Sequence, residues 1–162
     1  MALELISKST VKRITHSLAS QPARQMSLEA ARFNREQPLL ACFVSAFASE
    51  LPLKAQDLTL YMAYLLWRIM ECGRKIERVP AEIILDQLRE NWLFIERFVH
   101  MARHEGGSHL NQIDFLSQPH ILEYVANVIL EESRQNKIAE QHQGYMIFVL
   151  KTVLDSLDAV AN

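Results

Sequence analysis

Apolar residues recur at Leu3, Ile6, Ile14 and Leu18, a spacing of three and four that stacks side chains on one helix face, and this predicts a first helix over about 3–20. Pro22 ends or bends that helix, because proline brings no N–H to the hydrogen-bond ladder. Ser27 reads as the N-cap of a short helix through Arg35. Pro38 suits the first turn of the next helix, which runs to about Glu50 and stops near Pro52. From 56 to 73 the run "LTLYMAYLLWRIMECG" is apolar almost all the way round. Such a helix is either the central one or half of a subunit interface, with Gly73 as its C-terminal cap.

A long helix is predicted over about 80–104, its buried stripe formed by Ile84, Leu88, Ile95, Val99 and Ala102 with Trp92 and Phe98 on the shoulders. The paired glycines of "EGGSH" break it, and a short piece follows over 111–116. Pro119 opens a helix through about Arg134, and after a turn at "RQN" a last helix covers about 138–160. Gly144 lies inside that last element, and one long helix across the whole tail is the rival reading.

The helix starts repeat. Placing Gln37 on Gln118 matches Pro38 with Pro119, Phe43 with Tyr124, Val44 with Val125 and Glu50 with Glu131. After a shift of three residues in the turn, "YMAYLLWRIME" from Tyr61 lies on "YMIFVLKTVLD" from Tyr145. Tyr61 and Met62 recur as Tyr145 and Met146, Leu66 as Leu150, and Glu71 is echoed by Asp155. The expectation is a single all-helical domain over 1–162, a compact bundle of six or seven helices containing two related helical hairpins at about 37–75 and 118–160. A hairpin with one apolar face cannot bury it alone, so two copies are expected to cover each other. The helix from Pro80 would lie beside them, with the N-terminal helix in the matching place for the first half.

Composition agrees with helices. The chain has 162 residues, 49% hydrophobic, with four Gly and five Pro, which favours long elements and few turns. A net charge of -2 supplies no overall field toward nucleic acid or an anionic membrane. Charge is uneven, however. Up to Arg35 the bases Lys8, Lys12, Arg13, Arg24, Arg32 and Arg35 outnumber the acids Glu4 and Glu29, while the remainder is acidic. This basic arm is expected to dock on its own acidic body. Cys42 and Cys72 sit in apolar runs without metal spacing and read as buried thiols of a reducing compartment. No secretory signal or membrane span is read, so the expected location is cytoplasmic.

Candidate chemistry is sparse. Glu96, His100 and His104 follow at i, i+4 and i+8 on one helix face, with His109 close behind, and such a set offers imidazole and carboxylate ligands to a metal ion. The spacing fits neither the zinc-protease nor the di-iron pattern, and the face lies opposite the apolar stripe, where solvated charges are expected. Tyr61, Tyr64, Arg68, Glu71 and Lys75 form a polar seam on the greasy central helix. Its plain reading is an Arg68–Glu71 pair along the helix; its sharper one brings Glu71 beside Asp155 for acid–base work. No catalytic set and no cofactor are read, and the leaning is against an enzyme. The expectation is therefore a protein–protein interaction or scaffold module, a homodimer with a possible further protein partner. A metal-dependent or carboxylate-based enzyme is the alternative. A nucleic-acid-binding accessory protein ranks third, since it needs all six bases of the arm on one exposed surface.

Overall fold

The computed structural model describes residues 4–105, 117–135 and 137–162, and of 95–105 the backbone alone. Among the described residues the protein is an all-α bundle of seven helices without strands: α1 (Lys8–Ala19), α2 (Ala23–Glu36), α3 (Pro38–Ala48), α4 (Leu53–Met70), α5 (Ala81–Glu105), α6 (Pro119–Arg134) and α7 (Glu140–Val160). No helix among the described residues is long and apolar enough to cross a membrane. The predicted piece over 111–116 lies outside the described residues.

The starts of the first two helices differ from the sequence expectation. The first begins at Lys8, where Ser7 caps it by accepting from the Thr10 N–H at 3.2 Å. Residues 4–6 ahead of it are outside the helix, and another side chain holds their backbone groups. Gln118 Oε1 accepts from the Ile6 N–H at 3.0 Å, and Gln118 Nε2 donates to the Glu4 carbonyl at 3.4 Å. The second helix starts at Ala23, not at Ser27, with Pro22 itself in the capping position at φ -60°. Proline already holds the φ that a helix start requires, so no hydroxyl cap is needed. Likewise α4 begins at Leu53, directly after Pro52, three residues ahead of expectation. In the tail two helices form rather than one; Gly144 sits inside α7 without interrupting it.

α4 and α7 are the central rods. α3 packs on α4, α6 and α5 on α7, and α1 on both α4 and α6. α4 is thus enclosed by the chain's own helices: Met62, Leu65, Leu66, Ile69 and Met70 are all essentially inaccessible. Its apolar girth is used inside the molecule, which removes the reason for assigning it to a subunit contact. The two hairpins bury corresponding positions. Leu40, Val44 and Ala48 of α3 match Ile121, Val125 and Ile129 of α6, each 1% exposed or less. Met62 and Leu66 of α4 likewise match Met146 and Leu150 of α7.

Gly73 adopts φ +71° in the turn that leaves α4, a conformation open to glycine at little steric cost. Beyond it, Lys75 and Asn162 exchange backbone hydrogen bonds at 3.3 and 3.0 Å, and Ile76 forms an isolated antiparallel bridge with Ala161. The ends of α4 and α7 are thereby tied together. The extended residues that follow are held by Gln37, whose Oε1 accepts from the Val79 N–H at 2.9 Å while Nε2 donates to the Glu77 carbonyl at 2.9 Å. Both glutamines of the Gln-Pro pairs therefore do the same job, each on the segment ahead of a long-range helix: Gln37 before α5, Gln118 before α1.

The cysteines are a correction. Cys42 is exposed and Cys72 half-buried. On α3 the buried positions are Leu40, Val44 and Ala48, so a residue two on from Leu40 is turned some 200° away, toward solvent. Cys72 lies past the end of α4, where its Sγ accepts from Arg13 Nη2 at 3.7 Å.

Candidate functional site

The seam on α4 is drawn into an ionic cluster with α2. Arg32 forks onto Glu71 with two bonds of 2.8 Å and reaches Glu29 at 3.0 Å, while Arg68 binds Glu29. Arg68 and Glu71 are 4.0 Å apart, so the pairing along the helix expected from sequence is secondary to pairing between helices. The Arg32 guanidinium also lies 4.2 Å from the centre of the buried Trp67 ring. Its pKa is raised, chiefly by the Glu71 hydrogen bonds and in part by Glu29, against the opposing effect of burial. This chemistry fastens α2 to α4. It also takes Arg32 out of any exposed basic surface, and Lys8 of the same arm pairs with Glu123 at 3.1 Å.

Tyr64 stands beside this cluster, 4% exposed, with a hydroxyl that has no hydrogen-bond partner among the described residues. Burial pushes its pKa up, as it does for Tyr61 and Tyr145.

A second polar cluster, which sequence reasoning missed, surrounds Asp155. Lys151 donates to Asp155 at 2.7 Å and to Asn91 at 2.6 Å; Asn91 in turn donates to Asp155 and Thr152, and Ser117 donates to Asp155 at 2.8 Å. Asn91 and Lys151 are both buried. The signal was present, since Lys151 and Asp155 are one turn apart inside an apolar run and Asn91 is seven residues from the buried Ile84. Glu71 and Asp155 thus sit in separate clusters, Glu71 with Arg32 and Arg68 and Asp155 with Lys151.

Glu96, His100 and His104 lie on α5, but their side chains, like the whole of His109, are outside the described residues. Among the described residues no group of three or more His, Cys, Asp or Glu is placed to hold a metal ion.

Concavity is found elsewhere. A cavity of about 590 Å³ opens between α5, the end of α3 and α7, lined by Phe47, Leu88, Arg89, Trp92, Leu93, Tyr145 and Phe148. Trp92 and Leu93 stand 57% and 54% exposed, and Trp92 meets the Phe148 ring edge-on at 5.9 Å. The one phenol in the wall is already committed, because Tyr145 Oη donates to the Phe47 carbonyl at 2.8 Å. Among the described residues, Arg89 is the ionic group that lines it. Its nearest acid is Asp86 at 3.9 Å, and both side chains are well exposed. Neither Glu71 nor Asp155 lines this groove. Among the described residues it offers apolar surface and one cation, and no pair of groups suited to proton transfer or nucleophilic attack lines it.

Comparison with protein-family models, curated proteins and solved structures gives no match. The functional reading therefore rests on the geometry alone.

Proposed function

We propose that this chain is a protein–protein interaction or scaffold module, assembled from two related helical hairpins, and that its binding surface is the groove formed by α5 with α3 and α7. The observation that carries the reading is the pairing of an exposed Trp92 and Leu93 with an apolar groove free of convergent titratable groups. Large aromatic side chains beside a preformed apolar pocket are the usual anchors of protein interfaces. Trp92 rests one edge on Phe148, yet it and Leu93 leave more than half of their surface in water.

The related hairpins explain how such a surface arises. Support for a duplication comes from the shared Gln-Pro starts, the matching buried positions of α3 and α6, and the parallel use of Gln37 and Gln118 as backbone clamps. α1 packs on α4 as α5 packs on α7, but α1 also covers α6. The outer face of α5 keeps Leu85, Trp92 and Leu93 in water. A homodimer is the assembly this reading favours.

Photo-cross-linking tests the proposal. A benzophenone amino acid at Leu93 of the full chain, irradiated in living cells, is expected to give protein adducts that disappear with Trp92→Glu. The same group at Leu53, which is 71% exposed on another helix, is expected to give none. Absence of protein adducts from position 93, or adducts indifferent to Trp92→Glu, would contradict the reading.

A further inference from the structure

We infer that the occupant of the α5 groove is the α5 face of a second copy of this chain, packed antiparallel about a twofold axis. The inference rests on the interaction reading above and names its partner. A twofold interface needs one surface that complements itself, with both halves of every contact on the same patch. The α5 face has that property in shape. Trp92 and Leu93, each more than half exposed, form one wall of the groove together with Leu88, and Phe47, Tyr145 and Phe148 form the rest. Leu85, Leu88 and Trp92 follow at i, i+3 and i+7, the spacing with which one helix seams onto another.

The face has the same property in charge. Arg89 is the cation, and Glu82 and Asp86 lie one helical turn apart on the N-terminal side of it. Glu82 has no ionic partner among the described residues, and the Asp86–Arg89 contact is long and exposed. Such an exposed pair is weak, so these groups are available to a partner. Running a second α5 in the opposite direction about an axis near Leu88 sets its Leu85 beside Trp92 and its Asp86 within reach of Arg89. The symmetry repeats that contact on the other side. A parallel copy would instead set like charges in register, which disfavours that arrangement. The helix thus carries both the anchor and the receptor, and the acids that match its own arginine.

Sedimentation velocity of the full chain from about 1 to 100 μM, across the affinities typical of modest interfaces, reads the assembly. A concentration-dependent dimer is expected. Trp92→Glu is expected to weaken it by at least about tenfold, as for a central aromatic anchor. Leu53→Glu, an equally exposed change on α4, is expected to leave it unchanged. Arg89→Glu alone and Asp86→Arg alone each weaken association, and the two together restore it, because the contact is re-formed with its charges exchanged. Trp92 and Arg89 are surface residues, and matching helical content and melting temperature verify that the variants remain folded. A monomer at every concentration, or a dimer untouched by Trp92→Glu, overturns the inference; so does a double variant no better than either single one. If the chain is monomeric yet position 93 cross-links to a different protein, the self-association inference fails and the interaction reading stands. If neither is seen, both fail.

Discussion

Gln37 commits both ends of its side-chain amide to the distant backbone at Glu77 and Val79, while Gln118 accepts from the Ile6 N–H and donates both to the Glu4 carbonyl and, at 2.9 Å, to Asp158 Oδ1. Replacing either by methionine keeps the volume but strands those groups. The expected cost is about 2–4 kcal/mol at Gln37, measured by urea unfolding, and larger at Gln118, where the buried Asp158 carboxylate also loses a donor. An exposed glutamine such as Gln141 should change stability by less than about 0.5 kcal/mol. The Gln-Pro pair was legible in sequence as a helix start, but the clamp was not, because its partners lie 40 to 114 residues away. Tyr64 supplies a second residue-level expectation. Its pKa is raised from 10.0 by burial, so the folded state holds the phenolic proton more tightly than the unfolded chain does. The resulting stability is full below pH 10 and is lost as pH rises above it, while the unfolded chain ionises first. Thermal melts between pH 8 and 11 should show a shallower alkaline decline for Tyr64→Phe. At pH 7 the same change should be neutral or stabilise by about 1 kcal/mol, since it removes an unpaired buried hydroxyl.

Among the elements, α5 shows how far periodicity carries. The stripe through Ile84 and Leu88 was placed on the core side, and Ile84 is buried. The next buried position is Asn91, a polar residue that hydrophobic spacing passes over, whereas Trp92 was assigned to a shoulder and stands in water. Polar core residues are invisible to an apolar template when their partners, here Lys151, Thr152 and Asp155, come from another helix. Asp155→Ala should therefore be among the most damaging single changes in α7, at about 3–5 kcal/mol by chemical denaturation, because it leaves the Lys151 ammonium buried without its counter-charge. Lys151→Met together with Asp155→Leu should cost much less than Asp155→Ala, since no charge is then stranded. The starts of α2 and α4 were misplaced for a different reason. Each of these helices begins directly after a proline, which already holds the φ of a helix start, and for α2 a hydroxyl cap at Ser27 lies too far along the chain.

At the scale of the whole molecule, the greasy helix read from sequence as either a central rod or a subunit contact is the central rod, and the surface left over belongs to α5. That division follows from coverage: α4 and α7 are sheathed by α1, α3, α5 and α6, and α5 among these exposes Leu85, Trp92 and Leu93 on one helix. The account's central claim is that this face is bare in the isolated chain and covered when the protein is at work. Fluorine NMR of the full chain labelled with fluorotryptophan addresses it directly, because the sequence holds two tryptophans and Trp92→Phe assigns their signals. Trp67 is expected to be insensitive to exchange of H2O for D2O under all conditions. Trp92 is expected to show the full solvent shift in dilute purified protein, and to lose it in concentrated protein and in extract of the native host. A Trp92 signal that keeps the full solvent shift under every condition would contradict the account.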